Sequence, residues 1–233
     1  MDLLSRQLGD LAATSPATLG WGALLWVLLA LWIAAKGAKA LIGGVNIAYN
    51  EEERRGFVRV QGVSLLFTLG AVVFLTVSLT LIAVVPRVVE GLPLPAAGFV
   101  IAFVLRWVLL LALILVALAV IYRFASSRTE PRWTWLGLGS IVAAGLWMIA
   151  SILFSYYAET FGSFNETYGT IAGAVVALLW LQISALAILV GAELNAEIEH
   201  QTAVDTTEGP EEPMGRRGAV KADTLPEDAP AEE

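Results

Sequence analysis

Apolar residues gather into five long runs separated by short polar segments, and this spacing is the dominant pattern in the chain. The runs cover approximately residues 19–35, 63–85, 98–122, 136–157 and 171–192. A helix needs about 20 predominantly apolar residues to cross the hydrocarbon core of a bilayer, so each run predicts a transmembrane helix. The first is the shortest, and its helix is extended past Lys36 if that side chain snorkels to the headgroups. The predicted fold class is all-α: a polytopic α-helical membrane bundle with five transmembrane helices in residues 19–199. An N-terminal segment (1–18) precedes it and a C-terminal tail (200–233) follows.

Composition agrees with the pattern. The chain has 233 residues, 58% hydrophobic and 15% charged, and a mean hydropathy of +0.74, too apolar for a soluble domain of that size. It contains no cysteine and one histidine, His200. Disulfide frameworks, thiolate metal sites, histidine metal clusters and a Ser-His-Asp triad are excluded, so neither an enzyme nor a bound cofactor or metal is expected.

The net charge of −7 is unevenly placed: residues 200–233 hold nine acids against three bases, while the other 199 residues hold twelve acids and eleven bases. The tail is acidic, rich in Pro, Glu, Ala and Thr, and poor in bulky apolar residues, which predicts disorder. Eight bases (Lys36, Lys39, Arg54, Arg55, Arg59, Arg123, Arg128, Arg132) lie in two loops on one side, against Arg6 and Arg87 on the other. The positive-inside rule places those loops and the tail in the cytoplasm and the N-terminus outside. An external N-terminus without a signal sequence predicts a truncated form of a six-span protein.

Within the first basic loop, Asn50 is expected to cap a new helix whose first turn carries Glu51, Glu52 and Glu53, with Glu51 and Arg55 at i, i+4. The loop's bases either set topology or hold anionic lipid headgroups. Arg106 is the one base inside a long apolar run, about 12 Å deep at 1.5 Å per residue. It either snorkels or pairs with Glu159 or Glu166, or it meets an anionic substrate group. Ser151, Ser155 and Glu159 recur at four-residue intervals on one helical face, and Gln182 and Ser184 lie mid-span in the fifth run; such groups either bond between helices or line a path. Ala30/Ala34/Ala38 and Gly169/Gly173/Ala177 are small-residue stripes that permit close helix approach. Glu193 and Glu197 share a face apart from Asn195, and a carboxylate at this inner boundary is expected to pair with Arg123 or Lys39, the alternative being a part in proton or cation movement.

The segments 41–55, 122–125, 155–169 and 179–196 together resemble the YihY/BrkB membrane protein family. The likeness rests on Asn46 and Tyr49 in the first basic loop, on Gly162, Asn165, Tyr168 and Gly169 in the Phe-Gly-Ser to Tyr-Gly turn, and on Glu193 and Asn195 in the Gly-Ala-Glu-Leu-Asn ending. It implies a six-span protein of the bacterial inner membrane with both ends cytoplasmic. It implies no catalytic residues, and suggestions for the family include transport of envelope lipids or other solutes. The expected function is therefore a transporter or envelope-lipid translocation factor whose path includes Arg106, Ser151, Ser155, Glu159 and Gln182. The alternative is a non-transporting scaffold or envelope-integrity protein. The older ribonuclease label is disfavoured because a nuclease needs a metal-activated water or an equivalent acid–base set, and nucleic acid is not an expected partner.

Overall fold

The computed structural model describes residues 16–93, 95–161 and 165–226, with the side chains of 16–20 and 160–172 excepted. Helix α1 spans Pro16–Ala48 and α2 spans Phe57–Leu79. A π-helical turn, Thr80–Val84, joins α2 to α3 at Val85–Glu90. Helix α4 covers Ala96–Phe124, a tight turn at Trp133–Leu136 leads into α5 (Gly137–Phe161), α6 runs Asn165–His200, and a single turn, α7, covers Val220–Asp223. Five helical segments are long and apolar enough to cross a membrane: Trp21–Ala48, Phe57–Glu90, Ala96–Phe124, Trp133–Glu159 and Gly173–His200. The chain is an all-α membrane bundle, and all five expected spans are present.

Apolar side chains along these helices point outward, as Trp26, Val104 and Leu153 do. Lipid tails solvate them as well as a protein interior would, so little drives their mutual burial. The buried core instead concentrates toward the end that carries the basic loops, here termed the basic end. There Ile42, Val45 and Tyr49 of α1 and its end meet Leu118 and Tyr122 of α4, Ala143 and Ala144 of α5, and Ala192 and Ala196 of α6. Helices α5 and α6 form the most extensive pair, α1 packs on α2 and α6, and α4 on α5.

The α5–α6 contact depends on two glycines. A Cβ on Gly191 would lie 2.6 Å from the Ala143 Cβ and 2.6 Å from the Gly139 carbonyl oxygen, and one on Gly139 would overlap Asn195. The backbones touch because neither residue has a side chain. The small-residue stripes expected from spacing are elsewhere: Ala30 and Ala34 are exposed, and a Cβ on Gly173 would meet nothing within 4 Å. The side chains around Gly169 lie outside the described residues.

Two local expectations are corrected. Helix α1 runs on to Ala48, and Asn50 follows it with φ 54. Asn50 thus adopts the left-handed conformation of a helix C-terminus, which asparagine tolerates better than most residues. The next helix starts at Phe57 after Gly56, so Glu51, Glu52 and Glu53 occupy a loop rather than a first turn. Arg55 pairs with Glu53, at 2.7 Å, and not with Glu51.

The second correction concerns the tail, which is ordered from residue 201 to 226 and packs on the basic end. Arg217 is the organising group: its guanidinium donates to the carbonyls of Ala203 (2.7 Å), Ala222 (2.8 Å) and Glu212 (3.1 Å). Asp205 accepts from the N–H groups of Thr207 and Glu212, both at 2.9 Å. Asp223 accepts from those of Gly215, Arg217 and Gly218. Composition registers only apolar burial, whereas this tail is held by charged groups satisfying backbone donors and acceptors. Residues 227–233 lie outside the described residues.

Candidate functional site

Two polar regions stand out, one at each end of the bundle. At the end opposite the basic loops, α3 and α4 enclose an open pocket of about 230 Å³ lined by Val85, Pro86, Val89, Glu90, Phe103 and Arg106, among others. Pro86 shapes it. Proline has no N–H to donate to the carbonyl of Ile82 and its ring crowds that position, and the wider turn at Thr80–Val84 immediately precedes it. Such single π turns recur at functional sites in helices.

Arg106 projects from α4 into this pocket. Its guanidinium carbon lies 5.3 Å from the Phe103 ring centre and 5.5 Å from that of Trp107. Its Nε is buried without a hydrogen-bond partner, and among the described residues Arg106 forms no ion pair. The expected partner Glu159 is exposed on α5, and the side chain of Glu166 lies outside the described residues. A planar fork of donors, held between aromatic rings and short of an acceptor, suits a carboxylate or phosphate group.

The other path candidates do not converge on it. Ser151 is half-buried on α5 and its hydroxyl is unpartnered, while Ser155, Glu159 and Gln182 are exposed. Ser184 is structural: it accepts from the Trp147 indole N–H at 2.9 Å and donates to the Trp180 carbonyl at 2.8 Å, tying α5 to α6.

The basic end holds a dense buried network. Arg128 and Glu199 form an ion pair at 2.6 Å with side chains only 2% and 4% exposed, and the Arg128 guanidinium lies 4.0 Å from the centre of the Tyr49 ring. The Thr206 hydroxyl donates to Glu199 as well. Burial pushes the Tyr49 hydroxyl up to about 12, against the pull of Arg128. Asn46 accepts from the Ser127 N–H at 2.8 Å and donates to Glu53 at 3.1 Å, clipping the first basic loop to the second. Hydrogen bonds from Arg55 hold the Glu53 carboxyl down at about 2. Asn195 accepts from the Gly139 N–H at 2.9 Å across the α5–α6 contact.

The tail closes over this network. Val220 donates its N–H to Glu51 at 2.6 Å, and Lys221 pairs with Glu197 at 2.8 Å. Arg123 donates to the Pro131 carbonyl at 2.7 Å, to Glu130 at 2.9 Å and to Glu208 of the tail. Asp205 lies below the usual carboxylate range: burial opposes its ionisation, but the Glu212 N–H, the hydroxyl and N–H of Thr207 and the charge of Arg217 together outweigh it.

Of the motif residues, Asn46, Tyr49 and Asn195 thus meet at the basic end. Glu193 is exposed and among the described residues forms no ion pair, and Glu197 pairs with Lys221, so the expected pairing of one of these carboxylates with Arg123 or Lys39 is not made; Arg123 is occupied by Glu130 and Glu208. Gly162 lies outside the described residues, as do the side chains of Asn165 and Tyr168 and the surroundings of Gly169. Sequence reasoning missed Glu199, the buried partner of Arg128. The signal was available: Glu199 follows Asn195 by four residues on the face of Ala192 and Ala196.

A sequence profile of the family described as Virulence factor BrkB matches residues 1–215. Among curated proteins, the chain is similar to the ribonuclease-like protein YfkH of Bacillus subtilis (strain 168), at 31% identity over 175 residues, which cover 73% of this chain and 63% of that protein. It is also similar to the UPF0761 membrane protein of Tolumonas auensis, at 39% over 67 residues, 29% of this chain and 22% of that one. A third relative, the UPF0761 membrane protein MS0032 of Mannheimia succiniciproducens, is 28% identical over 159 residues, 65% of this chain and 52% of that one. In each case the match spans less than two thirds of the relative's length. No solved structure matches the chain.

Proposed function

The chain belongs to the Virulence factor BrkB family, and on that premise we propose that it is a transporter or envelope-lipid translocation factor of the bacterial inner membrane. Arg106 carries the proposal. A cation about 12 Å inside an apolar run costs several kcal/mol unless it meets water or a counter-charge, and an anionic group entering the pocket would offset that cost. The proline-associated π turn beside it gives the pocket a wall that departs from regular helix geometry. In this reading the basic loops and the packed tail face the cytoplasm, following the positive-inside rule, and the pocket opens toward the outer leaflet. No covalent step is assigned to the chain, and the ribonuclease-like name stays with the Bacillus relative.

Reconstitution into liposomes carrying labelled phospholipid tests the proposal. Wild-type protein is expected to move label faster than protein-free vesicles do, and Arg106→Ala to lose most of that gain while Glu193→Gln keeps it. Rates equal to those of empty vesicles would count against transport and favour a scaffold, a reading supported by the buried ion-pair and hydrogen-bond network at the basic end. Reporter fusions at Asn50, Glu90, Thr129 and Asn165 are expected to alternate in, out, in, out.

A further inference from the structure

Among the bases of the two basic loops and the tail some are committed and others free: Arg132 donates to the Thr207 carbonyl, while Arg54 and Arg216 are exposed and, among the described residues, form no ion pair. Arg55, Arg123, Arg128, Arg217 and Lys221 are committed to carboxylates or backbone carbonyls and are half-buried or buried. Lys36, Lys39 and Arg59 are exposed, and among the described residues none of them forms an ion pair. These free cations share a level. Lys36 and Lys39 lie one and four residues beyond the apolar run ending at Ala35, and Arg59 lies four residues before the run beginning at Val63. Taking the ends of these apolar runs as the hydrocarbon edge, with α1 continuing beyond it to Ala48, all three sit within about 6 Å of that edge at 1.5 Å per residue, which is the depth of the headgroup layer.

The same place carries apolar surface. The Lys39 ammonium lies 5.5 Å from the centre of the Phe57 ring, across the α1–α2 contact. Phe57 and Val58 are 69% and 83% exposed, and Trp32, one turn before Lys36 on the same face of α1, is 49% exposed. Cations at phosphate level, bordered by bare aromatic and aliphatic side chains, complement a molecule with an anionic head and an apolar body. A soluble phosphate would leave those side chains uncovered. We propose that the α1–α2 face formed by Lys36, Lys39 and Phe57 binds an anionic phospholipid from the leaflet at the basic end. The inference is independent of transport through the Arg106 pocket.

The test is electron spin resonance of the full chain in phosphatidylcholine bilayers holding spin-labelled phosphatidylglycerol or spin-labelled phosphatidylcholine. Wild type is expected to restrict phosphatidylglycerol in preference to phosphatidylcholine. Lys36→Gln and Lys39→Gln are each expected to lower that preference by up to about fivefold, the equivalent of about 1 kcal/mol per cation near the surface. Arg54→Gln, on an exposed loop residue further from the hydrocarbon, is expected to leave it unchanged, and so is excess soluble glycerol phosphate. Because both lysines are exposed, the variants should keep the wild-type melting temperature. No preference in wild type, the same preference in the double lysine variant, or displacement by glycerol phosphate would each overturn the proposal.

Discussion

Glu199→Ala is the sharpest probe of the packed basic end. The substitution removes the acceptor of the 2.6 Å bond from Arg128, whose side chain is 2% exposed. It also strands the hydroxyl of Thr206, a residue with no exposed surface. Removing one partner of a buried pair leaves an uncompensated charge, at a typical cost of about 3–5 kcal/mol. The Tyr49 ring does not offset that cost, because its cation–π contact with Arg128 is already present in the wild type. A chain of this size loses about 2–4 °C per kcal/mol, so the midpoint of thermal unfolding in detergent should fall on the order of 10 °C. Two companions fix the interpretation. Glu193→Ala, an exposed carboxylate on the same helix, should change stability by less than about 0.5 kcal/mol. The double variant Arg128→Met/Glu199→Leu removes both charges and should recover most of the loss. If Glu199→Ala melts with Glu193→Ala, or if the double variant is worse than the single one, the buried pair is not what holds this end together.

Three further outcomes follow from particular contacts. Gly191→Ala should cost about 1–3 kcal/mol through overpacking, because its Cβ would meet Ala143 and the Gly139 carbonyl at 2.6 Å; Gly173→Ala, with nothing within 4 Å, should stabilise α6 by about 0.5–1 kcal/mol, as melting curves would show. Glu53 has its folded pKa lowered to about 2 from 4.5; its contribution is therefore full above pH 4.5 and lost as pH falls through about 2, and Arg55→Gln should flatten stability measured across that window. In hydrogen exchange, the N–H groups of Arg132, Glu208 and Val220, bonded to Thr206, Glu130 and Glu51, should be protected well beyond random-coil rates; coil-like exchange at Glu208 and Val220 would mean that the tail is not docked.

Much of the architecture was legible in the sequence, because crossing hydrocarbon imposes a length and an apolar content that can be counted. The five spans, the segregation of Lys and Arg, and the isolation of Arg106 all follow from that constraint. The separation of Asn195 from Glu193 also followed, since helical periodicity alone sets which residues share a face.

Other features were decided only by tertiary structure. The partner of a charge is chosen in three dimensions: Arg123 meets Glu208, 85 residues away, while of the two acids at the inner boundary Glu193 is exposed and Glu197 pairs with Lys221. Close helix approach occurs at Gly139 and Gly191 and not at the repeating alanines, because small size permits contact without specifying a neighbour. The tail reads as disordered by composition yet folds around Arg217, since hydropathy does not register carbonyls gathered by a guanidinium. Composition measures what a segment gains by leaving water; the docked tail gains its order from donors and acceptors supplied by the rest of the molecule.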